Sequence, residues 1–570
     1  MMEITRKPRI FVAEDLNIEK WEDVQPYFDA LLNEPINSLS DYKNWLLKNS
    51  ELEAVLEEDM AWRYIKMTIN TADEEASKRY TTFVTEINPK MAEPSNALNK
   101  RLIESPFKNE LSDEADLIYL KKVQTSLDLF CEDNIPLQAK SQTLGQEYSK
   151  IIGDQLITYK GEEITSQQAA KYLKDPDRSI RKEVYELLVE RKRQDHDKLE
   201  AIFDELVALR QEIAENAGFK NFRDYKFKAM NRFDYSVQDC LDFHASIEEF
   251  IVPIYKKIQQ EKLNKFGFPA FKPYDASADP NGKEPLKPFE GGDELLNKTI
   301  SVFDKLDPYF SDCLETMKKM GHLDLESKKG KAPGGYNYPL YEIGIPFIFM
   351  NAAGSARDVI TMIHEGGHAV HSFLTKDLAL TAYKSFPSEV AELASMSMEL
   401  ISMKYWEEFY GTGDDLNRAK KEHLESILMV LPWVATIDGF QHWIYENPTH
   451  TREERKAKWL DLGKRFGTGL TDWTGYEDAR DYSWHKQLHL FEVPFYYIEY
   501  GFSQLGALGV WNNALSNEKE AIEKYKAGLS LGYTKDIKSI YQAAGVEFDF
   551  SSQNIQQIST MLTAQLEALK

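Results

Sequence analysis

The sequence predicts a mostly α-helical protein with a few short β-strands. Apolar residues recur at helical spacing through residues 10–60, with a break near 34–35, and again through residues 113–131. Residues 178–217 are typical of one long helix or two, and their dense alternating charges indicate a solvated helix face. The chain has 570 residues, which exceeds the size at which one compact core stops growing, so we expect two or more subdomains.

Three short stretches depart from the helical pattern. Residues 155–162 are typical of a small hairpin. Two further runs, 336–340 and 346–351, alternate or concentrate apolar residues over strand lengths, and each is bounded by glycine or proline. We therefore expect a hairpin in the first third of the chain and two short strands just before residue 352.

Composition and charge exclude several classes of protein. The formal net charge of −24 argues against binding of nucleic acid, because phosphate contacts need clustered Lys and Arg. We find no run of roughly 18 apolar residues and no signal for secretion, so we expect no membrane span. The three cysteines, Cys131, Cys240 and Cys313, are few, odd in number and far apart. That spacing predicts neither a disulfide framework nor a cysteine metal site, and a cytoplasmic location is expected.

The most informative motif is His364-Glu365-Gly366-Gly367-His368, which lies on a predicted helix that begins at Ser355. Two histidines four residues apart share one helix face, separated by about 6 Å of rise, so both imidazoles can bind one zinc ion. Glu365 is placed to reach a water on the metal rather than the metal itself. Two glycines inside a buried helix cost about 1 kcal/mol each, which indicates that another segment approaches closely there.

A catalytic zinc ion takes three protein ligands and leaves one position open, so a third ligand is needed. His371 lies on the same face but about 10 Å from His364 along the axis, which favours a supporting or packing role. Glu389, Glu392 and Glu399 follow on a predicted helix, among small and apolar residues. Carboxylates in such surroundings need a metal or a paired donor, but spacing alone leaves Glu389 and Glu392 as alternatives.

Several segments together resemble a known family. They are Pro346–Asn351, His364–His371, Ala391–Ser395 with Glu399, and His489–Phe491 leading into Pro494–Tyr500. These segments resemble the thimet oligopeptidase and oligoendopeptidase F family of zinc metallopeptidases, nearest its bacterial Pz-peptidase-like branch. The likeness runs from about residue 115 to the end of the chain, whereas the first hundred residues match only in being helical.

The resemblance implies a choice of ligands and supporting groups. The family places its third zinc ligand seven residues before a second glutamate, which implies Glu392 as the ligand and Glu399 as the group that orients a histidine. The family also places a histidine and tyrosines in a late segment near the zinc. His489 and Tyr500 match best and Tyr497 next, with Tyr496 as an alternative.

The family fold implies two helical halves that enclose a deep substrate channel, with the strand at 346–351 presenting its backbone to an extended peptide. We expect a helical N-terminal region over residues 1–200 and a zinc metallopeptidase catalytic region over 201–570. A proline- and glycine-rich break near 265–293 would connect subdomains.

The predicted function is zinc-dependent cleavage of internal peptide bonds in short unstructured peptides, with one zinc ion per chain. A zinc-bound water would be the nucleophile, and Glu365 would be its general base. His489, Tyr500 and Tyr497 would donate hydrogen bonds to the developing oxyanion.

Two alternatives remain at the level of sequence. A carboxypeptidase or dipeptidyl carboxypeptidase would use the same zinc site but would also capture the substrate's C-terminus. A helical scaffold that has lost the chemistry is disfavoured, because the motif retains Glu365. Sequence leaves open whether the chain is a monomer or a homo-oligomer.

Overall fold

The computed structural model describes residues 6–569, and most of its elements are α-helices. The helices before residue 321 are α1 (Trp21–Asn33), α2 (Leu39–Ile69), α3 (Glu74–Thr82), α4 (Asn88–Glu104), α5 (Glu114–Leu129), α6 (Asn134–Gly153), α7 (Ser166–Ala169), α8 (Arg178–Arg193), α9 (His196–Asn216), α10 (Phe222–Ala229), α11 (Val237–Ser246), α12 (Val252–Phe266), α13 (Gly291–Leu306) and α14 (Pro308–Met320). Those after it are α15 (Ala356–Thr375), α16 (Thr381–Lys384), α17 (Ser388–Ser402), α18 (Glu407–Tyr410), α19 (Asp414–Glu446), α20 (Arg452–Phe466), α21 (Glu477–Asp481), α22 (Leu488–Phe491), α23 (Ile498–Leu529), α24 (Ile537–Ala543) and α25 (Ser552–Ala568).

Among residues 6–569, five short strands form two small sheets. The strands β1 (Leu156–Tyr159) and β2 (Glu162–Thr165) pair as an antiparallel hairpin. The strands β3 (Leu323–Glu326), β4 (Tyr336–Tyr338) and β5 (Phe347–Ala352) form a three-stranded sheet in the order β3-β5-β4. In that sheet β3 is parallel and β4 antiparallel to β5. The predicted hairpin and the two predicted strands are confirmed, and β3 is an addition.

The helical pattern of the sequence is confirmed in type and broadly in bounds. The break near 34–35 separates α1 from α2, and the segment 178–217 is two helices, α8 and α9, interrupted at Gln194 and Asp195. Lys192 O accepts from the N–H of Asp195, which closes a turn that ends α8. The fold class expected from sequence, mostly α with short strands, is therefore confirmed.

One expectation about the sheet is wrong. The strand at 346–351 was expected to present its backbone to a peptide, but β5 is the central strand. Its residues Phe347, Ile348 and Phe349 pair with β4 on one side, and Ile348, Phe349 and Ala352 pair with β3 on the other. The backbone groups of Phe347, Ile348 and Phe349 are therefore used within the sheet. Among the described residues, the outer strands of this sheet are β3 and β4.

The chain forms two compact units, and each is assembled from three segments that are distant in sequence. The first unit contains the described residues up to 128, then 286–419 and 503–548. The second contains 129–285, 420–502 and the residues from 549 onward. The expected division into a helical N-terminal region (1–200) and a catalytic region (201–570) stays a prediction.

Each unit has its own buried apolar residues. In the first, a cluster around Tyr42 and Trp45 unites α1, α2 and α4 with the short helix α16. In the second, the ring of Phe502 contacts those of Tyr235 and Phe243 edge to face. Within residues 6–569, no helix combines the length and the apolar content needed to cross a membrane.

Candidate active site

Helix α15 carries the motif and begins where the sequence places its cap. The side chain of Ser355 accepts a hydrogen bond from the N–H of Asp358, and the Asp358 carboxylate accepts from the N–H groups of Ala353 and Ser355. This capping box satisfies N–H groups at the start of the helix that have no partner within it. The start of the motif helix is therefore held rigidly by its own first turn.

The two glycines of the motif allow close packing against α15. A Cβ added to Gly367 would lie 2.7 Å from Cα of Ser395 and 3.0 Å from the carbonyl oxygen of Ala394, both on α17. A Cβ on Gly366 would lie 2.7 Å from the ring of Phe303 on α13. The close approach that the glycines predict is confirmed, and it brings α17 directly against the motif.

Three predicted ligands converge where α15 meets α17. The nearest ligand atoms of His364, His368 and Glu392 all lie within 4.8 Å of one another. Oε2 of Glu392 is 3.4 Å from Nε2 of His364 and 3.9 Å from Nε2 of His368. The hydroxyl of Ser395 donates to the same Oε2 at 3.1 Å and fixes the carboxylate.

Glu399 orients one of the two histidines. Its Oε1 accepts a hydrogen bond from Nδ1 of His364 at 2.6 Å, which leaves Nε2 directed to the Glu392 side. Burial opposes a charge on His364, but this hydrogen bond and the charge of Glu392 outweigh it and raise the pKa of His364 to about 10. Burial lowers the pKa of His368 well below its ordinary value, so that ring is neutral.

These residues fit a zinc ion. Ligand atoms about 2.0–2.1 Å from a tetrahedral zinc lie roughly 3.4 Å from one another, close to the two distances from Glu392. Two imidazoles and one carboxylate are a set typical of catalytic zinc, and a carboxylate bonded to the second nitrogen of a ligating histidine is common in such sites. The negative groups that favour a proton on His364 also favour a metal cation.

Glu365 lies on the same helix and is only 8% exposed. Burial raises the pKa of its carboxyl to about 7, against the opposing charge of His364. The backbone carbonyl of Glu365 accepts a hydrogen bond from the side chain of Asn337 on β4 at 3.2 Å. The general-base candidate is therefore a poorly solvated carboxyl with a pKa near neutrality, beside an outer strand of the sheet.

Glu389 and His371, the other residues considered as ligands, lie outside the ligand group. The carbonyl oxygen of Glu389 accepts hydrogen bonds from the hydroxyls of Ser503 and Tyr541, which anchors the first turn of α17. The carboxylate of Glu389 is absent from the ligand group. His371 is fully buried and stacks on Phe386 with 3.6 Å between ring centroids.

The late residues form a second cluster, in the second unit. The ring of His489 lies 4.7 Å from that of Tyr497 and 5.9 Å from that of Tyr500, measured between centroids. Tyr496 is adjacent, at 6.1 Å from His489. The structure thus brings these four predicted residues together, whereas the three ligand candidates and Glu365 belong to the first unit.

A chain of hydrogen bonds determines the tautomer of His489. The indole N–H of Trp433, which can only donate, bonds to Oε1 of Gln487 at 3.1 Å. The amide nitrogen of Gln487 then faces Nδ1 of His489 at 2.8 Å and donates to it. Burial lowers the pKa of His489 to about 4, so the ring is neutral. Its single proton is therefore on Nε2, which becomes a hydrogen-bond donor.

Two residues that support this cluster were not identified from sequence. Arg232 and Glu499 form a buried ion pair with 2.9 Å between Nη2 and Oε1, and Arg232 also donates to the carbonyl oxygen of Phe495. Phe495 has a φ of 68°, in the left-handed region that costs a non-glycine residue about 1–2 kcal/mol. Glu499 among apolar neighbours signals the need for a partner, but nothing in the sequence names Arg232.

Comparisons with known proteins agree with this arrangement. Residues 171–560 match the model of peptidase family M3, and residues 12–130 match the model of the peptidase M3 N-terminal domain. The expectation that the first hundred residues match the family only in being helical is therefore wrong. These helices belong to a defined domain whose sequence signal is too weak to recognise by inspection.

Individual relatives show the same likeness at low identity. The chain is 25% identical to oligopeptidase PepF of Bacillus subtilis over 255 residues, which cover 44% of this chain and 37% of that protein. It is 22% identical to an oligoendopeptidase F homolog of Borreliella burgdorferi over 288 residues, 50% of this chain and 47% of that protein. These matches thus span less than half the length of either relative.

Similarity to solved structures covers nearly the whole chain. The structure of Pz peptidase A with an inhibitor superposes with a TM-score of 0.89 at 27% identity, over 96% of this chain and 97% of that one. The resemblance inferred from the motif segments is confirmed. From the motif geometry and the family model that covers residues 171–560, we conclude that this chain belongs to peptidase family M3.

Proposed function

We propose that the chain is a zinc-dependent endopeptidase that hydrolyses internal bonds of short, unstructured peptides. The observation that carries the proposal is the convergence of His364, His368 and Glu392, with Glu365 on the same helix. The names oligopeptidase and oligoendopeptidase, carried by relatives of this chain, support peptides as the substrate class.

His364, His368 and Glu392 would hold one zinc ion, and Glu399 would keep His364 in the ligating orientation. When bound, zinc supplies Lewis-acid chemistry, which acidifies a water molecule and polarises a carbonyl group. The neutral ring of His368 is in the protonation state that a metal requires of an imidazole ligand.

Glu365 would act as general base and then as general acid. Its carboxylate accepts a proton from the attacking water and passes that proton to the amine that leaves. A carboxyl whose pKa is raised to about 7 suits both steps, because proton transfer is most effective when the pKa is near the working pH. The burial of Glu365 therefore serves the reaction directly.

His489, Tyr500 and Tyr497 would donate hydrogen bonds to the negatively charged oxygen that forms on the substrate. The Nε2–H of His489 is a neutral donor held in orientation by Gln487. Loss of one donor of this kind typically lowers turnover about 10²–10³-fold. Tyr496 is kept as an alternative to Tyr497, because both rings adjoin that of Tyr500.

An extended peptide would pair with β4 rather than with β5. The β4 strand is an outer strand of its sheet, and its Asn337 bonds to the backbone of Glu365. A substrate strand added at this edge would run beside the motif helix. The proposal replaces the backbone contact that was expected of residues 346–351.

A peptide of about ten residues, acetylated at its N-terminus and amidated at its C-terminus, distinguishes the proposed activity from its alternative. An endopeptidase cleaves this substrate internally, because it needs neither free end. A carboxypeptidase or dipeptidyl carboxypeptidase requires the free carboxylate and leaves the peptide intact. The free-acid form of the same peptide is the control, and mass spectrometry of the products locates the cleaved bond.

A further inference from the structure

A second cluster of metal-binding side chains lies in the second unit, between α11 and α19. Cys240 and His244 are four residues apart on α11, and Asp438 and His442 are four residues apart on α19. Residues at this spacing share one face of a helix. Sulfur of Cys240, a carboxylate oxygen of Asp438 and a ring nitrogen of His442 all lie within 4.8 Å of one another.

The cluster is fully enclosed by protein. The exposures of its members are 0% for Cys240 and Asp438, 2% for His244 and 3% for His442. Oδ2 of Asp438 is 2.9 Å from Nε2 of His244 and 3.1 Å from Nε2 of His442. Its Oδ1 and the Nδ1 of His442 have no hydrogen-bond partner among residues 6–569. Buried polar atoms without a partner are rare and costly, so they call for an explanation.

Charge gives a second reason to look for a cation. The carboxylate of Asp438 is fully buried and faces the rings of His244 and His442. A divalent cation bound by one carboxylate and one thiolate is electrically neutral, and it also occupies the unpartnered atoms.

We propose that Cys240, Asp438 and His442 supply three ligands of a second metal site, which would bind a zinc-like transition metal ion. His244 donates to Asp438 and holds that carboxylate in place, as Glu399 holds His364 in the first site. On binding, the thiol of Cys240 releases its proton to solvent, and the metal joins α11 to α19. A thiolate, an imidazole and a carboxylate are ligands that favour zinc or cobalt over magnesium or calcium.

This site could not be predicted from sequence spacing. The sequence separation of Cys240 and Asp438 is 198 residues, and the wide spacing of the cysteines argued against a cysteine metal site. Only the packing of α11 against α19 brings the two pairs together. The proposed site is independent of the peptidase activity, because its residues are not among those assigned to catalysis.

Cobalt provides a direct test, because a cobalt–thiolate bond absorbs in the near ultraviolet. The site formed by His364, His368 and Glu392 contains no sulfur, so cobalt bound there does not give this band. Full-length protein produced with Co²⁺ as the added transition metal should show this band. The double variant Cys131→Ser/Cys313→Ser, in which Cys240 is the remaining thiol, should keep the band, and Cys240→Ser should lose it. Absence of the band from wild type and from the double variant would overturn the proposal.

Metal content gives a second readout. Cys240→Ser and Asp438→Asn should each contain about one metal equivalent less than Cys313→Ser, a matched variant of another fully buried cysteine. Glu392→Gln should keep the near-ultraviolet band while it loses the metal of the first site. Equal metal content in Cys240→Ser and Cys313→Ser would contradict the site. If Cys240→Ser does not fold, the spectrum of the double variant decides alone.

Discussion

Two glutamates near the motif have different surroundings, and that difference sets their roles. Glu399 bonds to Nδ1 of His364, whereas Glu365 is buried on α15 with its pKa raised to about 7. Glu399 therefore orients His364, and Glu365 is suited to move a proton in the proposed reaction. These roles lead to three predictions at the scale of the residue.

Glu365→Gln should lower turnover by about 10²–10⁴-fold, because the amide keeps the size of the side chain but cannot accept a proton. The zinc content and the affinity for peptide should change little, since Glu365 is outside the ligand group. Steady-state hydrolysis of the doubly blocked peptide, together with metal analysis, measures both quantities. A variant that retained more than a few per cent of wild-type turnover would place the general base elsewhere.

Glu392→Gln should lose zinc far more severely than Glu389→Gln. The Glu392 carboxylate lies against both histidines, whereas the Glu389 carboxylate is outside the ligand group. The two residues are one helical turn apart and are 6% and 3% exposed, so the second variant is a close control. Metal analysis after dialysis gives the comparison, and the reverse order would show that Glu389 is the ligand.

Metal binding should release protons in a pH-dependent manner. With its pKa raised to about 10, His364 carries a proton at pH 8, and an incoming metal must displace it. Apparent affinity should therefore fall by up to about tenfold for each pH unit below 10. Calorimetry at pH 8 in buffers of different ionisation enthalpy should find about one proton released at this site, and fewer in Glu399→Gln. No proton release there would contradict the raised pKa.

At the scale of the element, the site depends on how closely α15 approaches α17. The ligands on these two helices converge only because Gly367 has no side chain at their contact. A later segment of the first unit, residues 503–548, also holds helix α17. There the hydroxyl of Tyr525 donates to the carbonyl oxygen of Ala394 at 2.7 Å. The positions of the ligands are therefore set by helix packing rather than by loops.

Gly367→Ala should separate the two helices, because the new methyl group would meet backbone atoms of α17 that cannot turn away. Overpacking of this kind costs about 1–3 kcal/mol, and we expect weaker zinc binding as well. Gly463→Ala on α20 is the matched control, because nothing lies within 4 Å of its added Cβ. That control should be neutral or stabilising by up to about 1 kcal/mol. Denaturant unfolding and metal titration of both variants test the comparison, and equal behaviour would contradict it.

The same scale shows how much could be predicted from sequence. Helix α15, its cap at Ser355 and the two strands before it follow from local patterns, since capping and periodicity act over a few residues. The ion pair of Arg232 with Glu499 and the cluster at Cys240 depend on contacts across 267 and 198 residues. Local periodicity contains no information about such contacts. The sequence did not predict β3, because its residues lack a strand pattern. Without β3, nothing indicated that β5 is the central strand and β4 an edge strand.

At the scale of the whole molecule, each unit combines three separate segments of the chain. The motif and its ligands belong to the first unit and the aromatic cluster at His489 to the second. Both units also take in residues from the last third of the chain. A truncation before residue 548 removes parts of both units, so each unit is expected to fold only when all three of its segments are present.

Substrate size is the prediction that belongs to the whole molecule. The proposed function implies a preference for short chains, and we expect efficient cleavage of unstructured peptides of roughly 5 to 20 residues. An unfolded full-length protein such as casein should be cut poorly. Comparing kcat/KM for casein with that for a peptide of about ten residues measures the preference. Equal values would refute the size limit and leave the zinc chemistry intact.

The most direct test of the central claim is peptide hydrolysis measured together with zinc content during removal and return of the metal. The account predicts that chelation abolishes cleavage of the doubly blocked peptide. Activity should return in proportion to added zinc, in the wild type but not in Glu392→Gln. Hydrolysis that persists after the zinc is gone, or a fully active Glu392→Gln without it, would contradict a zinc site formed by His364, His368 and Glu392.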